Sequence, residues 1–168
     1  MEYHAKNPYP IPRVEKENRE YGYLLLQDYA GEVSEDTAIH LYFYQYFIKQ
    51  NKDPELAEAL KKIAIVEMHH LELLGETILL LGVDPKYRIK GTPFQQDIFW
   101  NASYVNYEQR TKALLEVNMA SERKAIQNYM LHRKIIKDPY IQQLLTRIIE
   151  DEEVHLKIFK YFYEKYNF

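Results

Sequence analysis

The 168-residue chain contains no cysteine. That excludes disulfides, thiolate metal sites and iron–sulfur clusters, and it leaves carboxylate and imidazole as the strong metal ligands the chain can offer. Long hydrophobic runs are also missing. Stretches such as Ile78 to Leu81 fall far short of the roughly 20 apolar residues a spanning helix needs, so no membrane is expected as a partner. Neither sign of charge dominates: 22 Lys and Arg stand against 25 Asp and Glu, a net charge of −3. Nothing there calls for nucleic acid or an anionic surface. The opening Met1-Glu2-Tyr3-His4 lacks the basic-then-apolar layout of a signal peptide, so a cytoplasmic location is the expectation. Strand-like alternation is absent as well. What remains is an apolar fraction of 46%, enough for one domain with a substantial core.

Residues 1–12 carry Pro8, Pro10 and Pro12 at every second position. Proline restricts both itself and the residue before it, so this segment reads as an extended arm. Residues 13–168 read as a single helical domain. No proline interrupts Arg13 to Gln50, and apolar residues recur there at helical spacing (Leu24, Leu25, Ile39, Tyr42, Tyr46), which predicts one long first helix with Gly22 and Gly31 as weak points. Pro54 opens a second helix that runs to about Leu81, where Gly82 and Pro85 stop it. Residues 82 to 103, with Gly91 and Pro93, show no clean period. A third helix is expected from about Tyr104 to Ile136 and a fourth from Pro139 to about Tyr166. The fold class is therefore all-α: a four-helix bundle with one long crossover connection between helices 2 and 3.

Two stretches repeat one another. The first runs Ser34-Glu35-x-x-Ala38-Ile39-x-x-Tyr42, then Lys52-Asp53-Pro54, then Glu67-x-x-His70-Leu71. The second runs Ser121-Glu122-x-x-Ala125-Ile126-x-x-Tyr129, then Lys137-Asp138-Pro139, then Glu152-x-x-His155-Leu156. From the prolines onward the offset is 85 residues, and ahead of them it is 87. The copies thus differ by two residues in one connection. Repeats of this size signal pseudo-symmetry, and here the matched positions are mostly acids and histidines.

Residues three, four and seven apart share a helix face. Glu67 and His70 lie within a stripe of Leu60, Ile63 and Leu74, and Glu152 and His155 lie between Ile148 and Phe159. Glu35 lines up with Ile39 and Tyr42, and Glu122 with Met119, Ile126 and Tyr129. Four glutamates and two histidines would point into the core. Buried ionised carboxylates are very unfavourable unless paired or metal-bound, and they raise one another's pKa values. Two divalent cations, each with one imidazole, remove the conflict.

These residues resemble the ferritin-like di-iron carboxylate superfamily, which includes rubrerythrins and bacterioferritins; the chain is most similar to rubrerythrin-type domains without a rubredoxin domain. The family pattern is a Glu with a Tyr seven residues later, then Glu-x-x-His, in both halves. Glu122, Tyr129 and Asp151-Glu152-x-x-His155 match it fully, and Glu35, Tyr42, Glu67 and His70 match it with Val66 in place of the Asp. The resemblance implies a ferritin-like bundle in which Glu67 and Glu152 bridge two metals, His70 and His155 each hold one, and Glu35 and Glu122 are terminal ligands. It places Tyr42 and Tyr129 in hydrogen bonds to ligand carboxylates. Glu32, one turn from Glu35 on the same face, is the rival ligand; the repeat alignment favours Glu35, and Glu32 and Asp28 could instead line an access path. The metals implied are two iron ions, with two manganese ions as the alternative.

By the same resemblance the chain acts as a di-iron oxidoreductase of peroxidase or ferroxidase type: a rubrerythrin-like peroxide reductase working on hydrogen peroxide or dioxygen, with an external electron donor. The alternatives are peroxide dismutation like a manganese catalase, and ferritin-like iron binding and oxidation. Other polar groups read more plainly. His69, His4, His40 and His132 read as surface residues, and Glu150, Asp151 and Glu153 as a solvated face. Phe94, Phe99, Trp100, Tyr104 and Tyr107 in the crossover, together with the arm, suggest a homodimer.

Overall fold

The computed structural model describes residues 1–92 and 94–168; Pro93, read from sequence as part of the crossover, lies outside the described residues. The described residues form five α-helices: α1 Arg19–Ala30, α2 Glu35–Lys49, α3 Pro54–Leu80, α4 Thr111–Ile135 and α5 Pro139–Lys165. Helices α2 and α3 pack as one hairpin and α4 and α5 as another, and α1 lies against α3 in line with the first hairpin. The arrangement is a ferritin-like four-helix bundle whose first helix is interrupted.

That interruption corrects the single first helix expected from residue 13 to residue 50. The chain is not helical before Arg19, and it breaks at residues 31–34. Gly31 leaves the helix in extended conformation, where a Cβ would sit 2.5 Å from the Gln27 carbonyl oxygen. Ser34 then caps α2: its Oγ accepts from the Thr37 amide at 3.3 Å and donates to the Gly31 carbonyl at 2.7 Å. A weak point in helix propensity becomes a break because the hydroxyls of Ser34 and Thr37 satisfy the freed backbone.

Both hairpins turn through Asp-Pro. Asp53 accepts from the Leu56 amide at 3.1 Å and Asp138 from the Tyr140 amide at 3.0 Å, with proline in the first turn of each following helix. The third long helix starts at Thr111, seven residues later than expected from Tyr104. The residues before it form a single 3₁₀ turn, Ala102–Tyr104, and a two-residue antiparallel ladder, β1 Arg88–Ile89 with β2 Ile98–Phe99. Trp100 fastens this crossover to the bundle, donating Nε1–H to Thr37 Oγ1 at 2.9 Å.

The core has two apolar blocks. One gathers Leu25, Leu26, Leu74, Ile78, Leu145 and Ile148; the other gathers Leu41, Leu56, Leu60, Ile63, Leu115 and Phe159. On α3 the second block supplies residues 56–64 and the first block residues 73–78, and on α5 the order is reversed. Each block member contributes roughly 1.5–3 kcal/mol by burial. Between the blocks lie the polar positions 67, 70, 152 and 155. No helix among the described residues is long and apolar enough to cross a membrane.

Candidate metal centre

The six acids and histidines singled out by the repeat meet in that gap, and all six are buried. Glu67 sends Oε2 to within 2.9 Å of His70 Nδ1 and Oε1 to within 3.1 Å of His155 Nδ1. Glu152 does the same in reverse, Oε1 to His70 Nδ1 at 3.4 Å and Oε2 to His155 Nδ1 at 3.2 Å. Each of these two carboxylates therefore spans both imidazoles. The other two acids serve one side each: Glu35 Oε2 is 3.5 Å from His70 Nδ1, and Glu122 Oε1 is 3.9 Å from His155 Nδ1. Glu35 reaches the centre from the first turn of α2, while Glu122 reaches it from the middle of α4.

The two tyrosines cross between halves. Tyr42 donates its hydroxyl to Glu122 Oε1 at 2.5 Å, and Tyr129 donates to Glu35 Oε1. Both are buried, so each removes a conformational choice from the acid it holds. The outer ring nitrogens of the histidines are bound too, but differently. His70 Nε2 donates to Asp151 Oδ2 at 2.9 Å, and His155 Nε2 donates to the main-chain carbonyl of Tyr3 at 3.0 Å. Carboxylate and carbonyl oxygens can only accept here, so both Nε2 atoms carry a proton, and Nδ1 is the nitrogen that each ring turns to the centre and would offer to a cation once deprotonated.

Asp151 thus departs from the solvated face expected of it. It is fully buried, with Arg147 at 2.5 Å, the Ala5 amide at 2.6 Å and the Tyr9 hydroxyl at 2.5 Å. Helical periodicity placed it beside the ligand stripe and could not foresee that the arm would cover it. Burial opposes its ionisation, yet hydrogen bonds from His70, Tyr9 and the Ala5 amide hold its pKa down at about 2. In the centre itself, burial and then neighbouring carboxylates push Glu122 well above the ordinary range, and burial does the same to Glu35 against the pull of His70. Glu152 goes the other way: burial is outweighed by hydrogen bonds from His155 and His70. Burial would lower both imidazoles, but the charges of Glu35 and Glu67 and hydrogen bonds to acids raise them.

The donor set fits a pair of cations better than it fits itself. Glu35, Glu67, His70 and Glu152 place one ligand atom each within 4.8 Å of one another, and so do Glu67, Glu122, Glu152 and His155. The two groups share Glu67 and Glu152, as two adjacent ions bridged by carboxylates require. Glu67 Oε1 is buried and, although 3.1 Å from His155 Nδ1, is not aligned for a hydrogen bond, a cost that a cation removes. The rubrerythrin family model matches residues 25–163, a span that contains all six side chains. The chain belongs to the rubrerythrin family.

Relatives of this rubrerythrin-family chain point the same way. It is 29% identical to a probable manganese catalase of Clostridium acetobutylicum, over 88% of this chain and 72% of that protein. It is 32% identical to the bacterioferritin of Desulfovibrio desulfuricans, over 73% of this chain and 64% of that one. Among solved structures, a manganese catalase from Anabaena superposes with a TM-score of 0.86 at 25% identity, covering 99% of this chain and 81% of its own. The Desulfovibrio desulfuricans bacterioferritin, described with a diiron site, gives 0.69 at 28% identity, covering 88% and 82%. The rubrerythrin-family centre is thus a buried carboxylate–histidine cluster that fits a dinuclear site.

A cavity of about 220 Å³ reaches the cluster, lined by Glu35, Glu67, Tyr42, Glu122 and Tyr129 and also by Asp28 and Glu32. Glu32 is exposed in the 31–34 break and belongs to neither metal-capable group. It lines the cavity from that break. His132, read from sequence as a surface residue, is buried: its Nδ1 lies 2.5 Å from Asp28 Oδ2. It sits three residues beyond Tyr129 on the same helix face, and that spacing was the available signal. His40 and His4 are exposed as expected, and half-exposed His69 pairs with Glu72 at 3.1 Å.

Proposed function

We propose that Glu35, Glu67, His70, Glu122, Glu152 and His155 hold two divalent ions, iron or manganese, and that the chain carries out redox chemistry on hydrogen peroxide. The observation that carries this reading is the sharing of Glu67 and Glu152 by both imidazoles. Four carboxylates against two ions of charge +2 leave the gap near neutral. Two such ions, when bound, would exchange a pair of electrons with peroxide and so avoid one-electron radical products.

The protein's own contribution is to position and to exclude. Tyr42 and Tyr129 fix the terminal carboxylates, Asp151 fixes the His70 ring, and the apolar blocks keep bulk water from the gap. The cavity volume equals that of on the order of seven waters, which suits peroxide or dioxygen and is too small for a bulky organic substrate. Asp28 and Glu32 add polar groups to its lining.

Dismutation of two peroxides to two waters and dioxygen needs no external donor, and likeness to manganese catalases over 88% and 99% of this chain supports it. Family membership supports the second reading, rubrerythrin-like reduction of peroxide to two waters by two electrons and two protons from a separate donor. The decisive measurement is oxygen evolution from peroxide by protein carrying two ions per chain. Steady evolution without reductant supports dismutation; none, with turnover restored by a reductant, supports reduction. Fewer than about one metal per chain, unchanged in Glu67→Ala, would remove both readings. Exposed Phe94, Phe99 and Tyr107 on the crossover support a homodimer, which light scattering checks.

A further inference from the structure

We propose that the N-terminal arm is a built part of the metal centre, with the main-chain carbonyl of Tyr3 serving the His155 half as the Asp151 carboxylate serves the His70 half. This deepens the dinuclear reading and rests on it. At the 85-residue offset that relates α3 to α5, Asp151 corresponds to residue 66 and His70 to His155. Residue 66 is Val66, buried and unable to accept a hydrogen bond. A ligating histidine needs an acceptor for its outer N–H to fix ring orientation and tautomer. At His155 that acceptor is Tyr3 O, at 3.0 Å.

The arm is latched so that this carbonyl arrives in place. Arg147 donates Nε–H to Asn7 O at 2.7 Å and a terminal N–H to Ala5 O at 3.0 Å. Its guanidinium also lies 4.0 Å from the centre of the Tyr9 ring. Asp151 receives the Ala5 amide and the Tyr9 hydroxyl, and Asn7 donates to Glu150 at 2.9 Å. Arg147 and Asp151 stand one turn apart on α5, so one helix face both supports His70 and holds the segment that supports His155. A neutral carbonyl on one side and an ionised carboxylate on the other make the two metal positions unequal, although their ligands match. The Tyr3 carbonyl is a positioning group, since it acts through His155.

The test compares the full chain with one beginning at residue 4, carrying His4→Met as its initiator; this removes the Tyr3 carbonyl and keeps Ala5, Asn7 and Tyr9. Manganese(II) titration by calorimetry and metal content after gel filtration are read beside the melting temperature of metal-free protein. The full chain should take two ions. The shortened chain should bind one of them about 10–100-fold more weakly, while metal-free protein still unfolds in a single cooperative transition. Shortening should cost further affinity in a His70→Ala background and none in a His155→Ala background, a distinction that a general loss of structure does not produce. Val66→Asp in the shortened chain should restore the second ion. Should the shortened chain fold poorly, full-length Ala5→Pro, which removes one latch hydrogen bond, should weaken the same ion. A full chain that takes no metal would overturn the dinuclear reading and this proposal with it. Two ions in the full chain and the same two affinities in the shortened chain would overturn the arm's role alone.

Discussion

The two halves of the bundle bring the same three side chains to the centre on different supports. In the first half Glu35 comes from the capped start of a helix that has just restarted, while its counterpart Glu122 lies inside an unbroken one. His70 is backed by a buried carboxylate and His155 by a main-chain carbonyl. The cavity opens beside Asp28 and Glu32, whereas the repeat-related Leu115 and Met119 are packed in the core. Duplication therefore preserved what the ions would need and left the surroundings free to diverge. One side could open to small molecules while the other stayed shut.

The strongest way to break that comparison is to remove a shared carboxylate. Glu67→Ala and Glu152→Ala should each lose both ions, because each acid spans both imidazoles, and metal analysis should find fewer than one ion per chain in either variant. Loss of only one ion would mean that the bridging geometry is wrong. Next comes the support of a single half. Asp151→Asn should weaken the ion beside His70 about 10–100-fold, and the ion beside His155 less, through the arm that Asp151 latches, while Val66→Ala, its repeat counterpart, should leave both metal affinities unchanged.

The tyrosines should give a smaller and symmetric effect. Tyr42→Phe and Tyr129→Phe each remove a buried hydrogen bond to a carboxylate, worth about 1.5–3 kcal/mol. Thermal unfolding should show similar losses for the two, and a large inequality would show that the halves are unequal at this level as well.

The mildest probe is pH. In metal-free protein Glu35, Glu122, His70 and His155 all have folded-state pKa values raised above their ordinary ones. A raised folded pKa contributes stability that is complete below the unfolded value and is lost as pH rises through the folded one. The melting temperature of metal-free protein should therefore fall as pH rises above about 4.5, the ordinary glutamate value, and further above about 6.5, the ordinary imidazole value. Metal-loaded protein should lack that slope, since its ligands are already deprotonated. Glu35→Gln and Glu122→Gln, one from each half, should flatten the slope by comparable amounts.

Much of this was legible along the chain. The helix class, the two Asp-Pro turns and the six converging side chains follow from periodicity and repetition, which are local or one-dimensional signals. Glu35 was chosen over Glu32 by register alone, and the structure brings Glu35 to the cluster and leaves Glu32 at the cavity. Less legible was the break at residues 31–34, because Gly31 is tolerated in helices and the bonds that stabilise the break depend on geometry. The late start of α4 was hidden because residues 104–110 mix Tyr104, Val105 and Tyr107 with polar residues and hold neither proline nor glycine, as a helix can. Asp151 and His132 were misread for one reason: helical spacing tells which face a residue occupies and says nothing about what covers that face.

The amino-acid order alone specified the candidate ligands, their two-fold arrangement and the helices that carry them, since spacing along a helix converts directly into a shared face. Folding specified the partners. The arm crosses more than a hundred residues of sequence to meet Asp151 and His155, and Asp28 in α1 meets His132 in α4. Such pairings depend on where distant segments come to rest, and no local pattern records that. The inequality between the two metal positions arises there, in the packing of an irregular segment against a regular bundle.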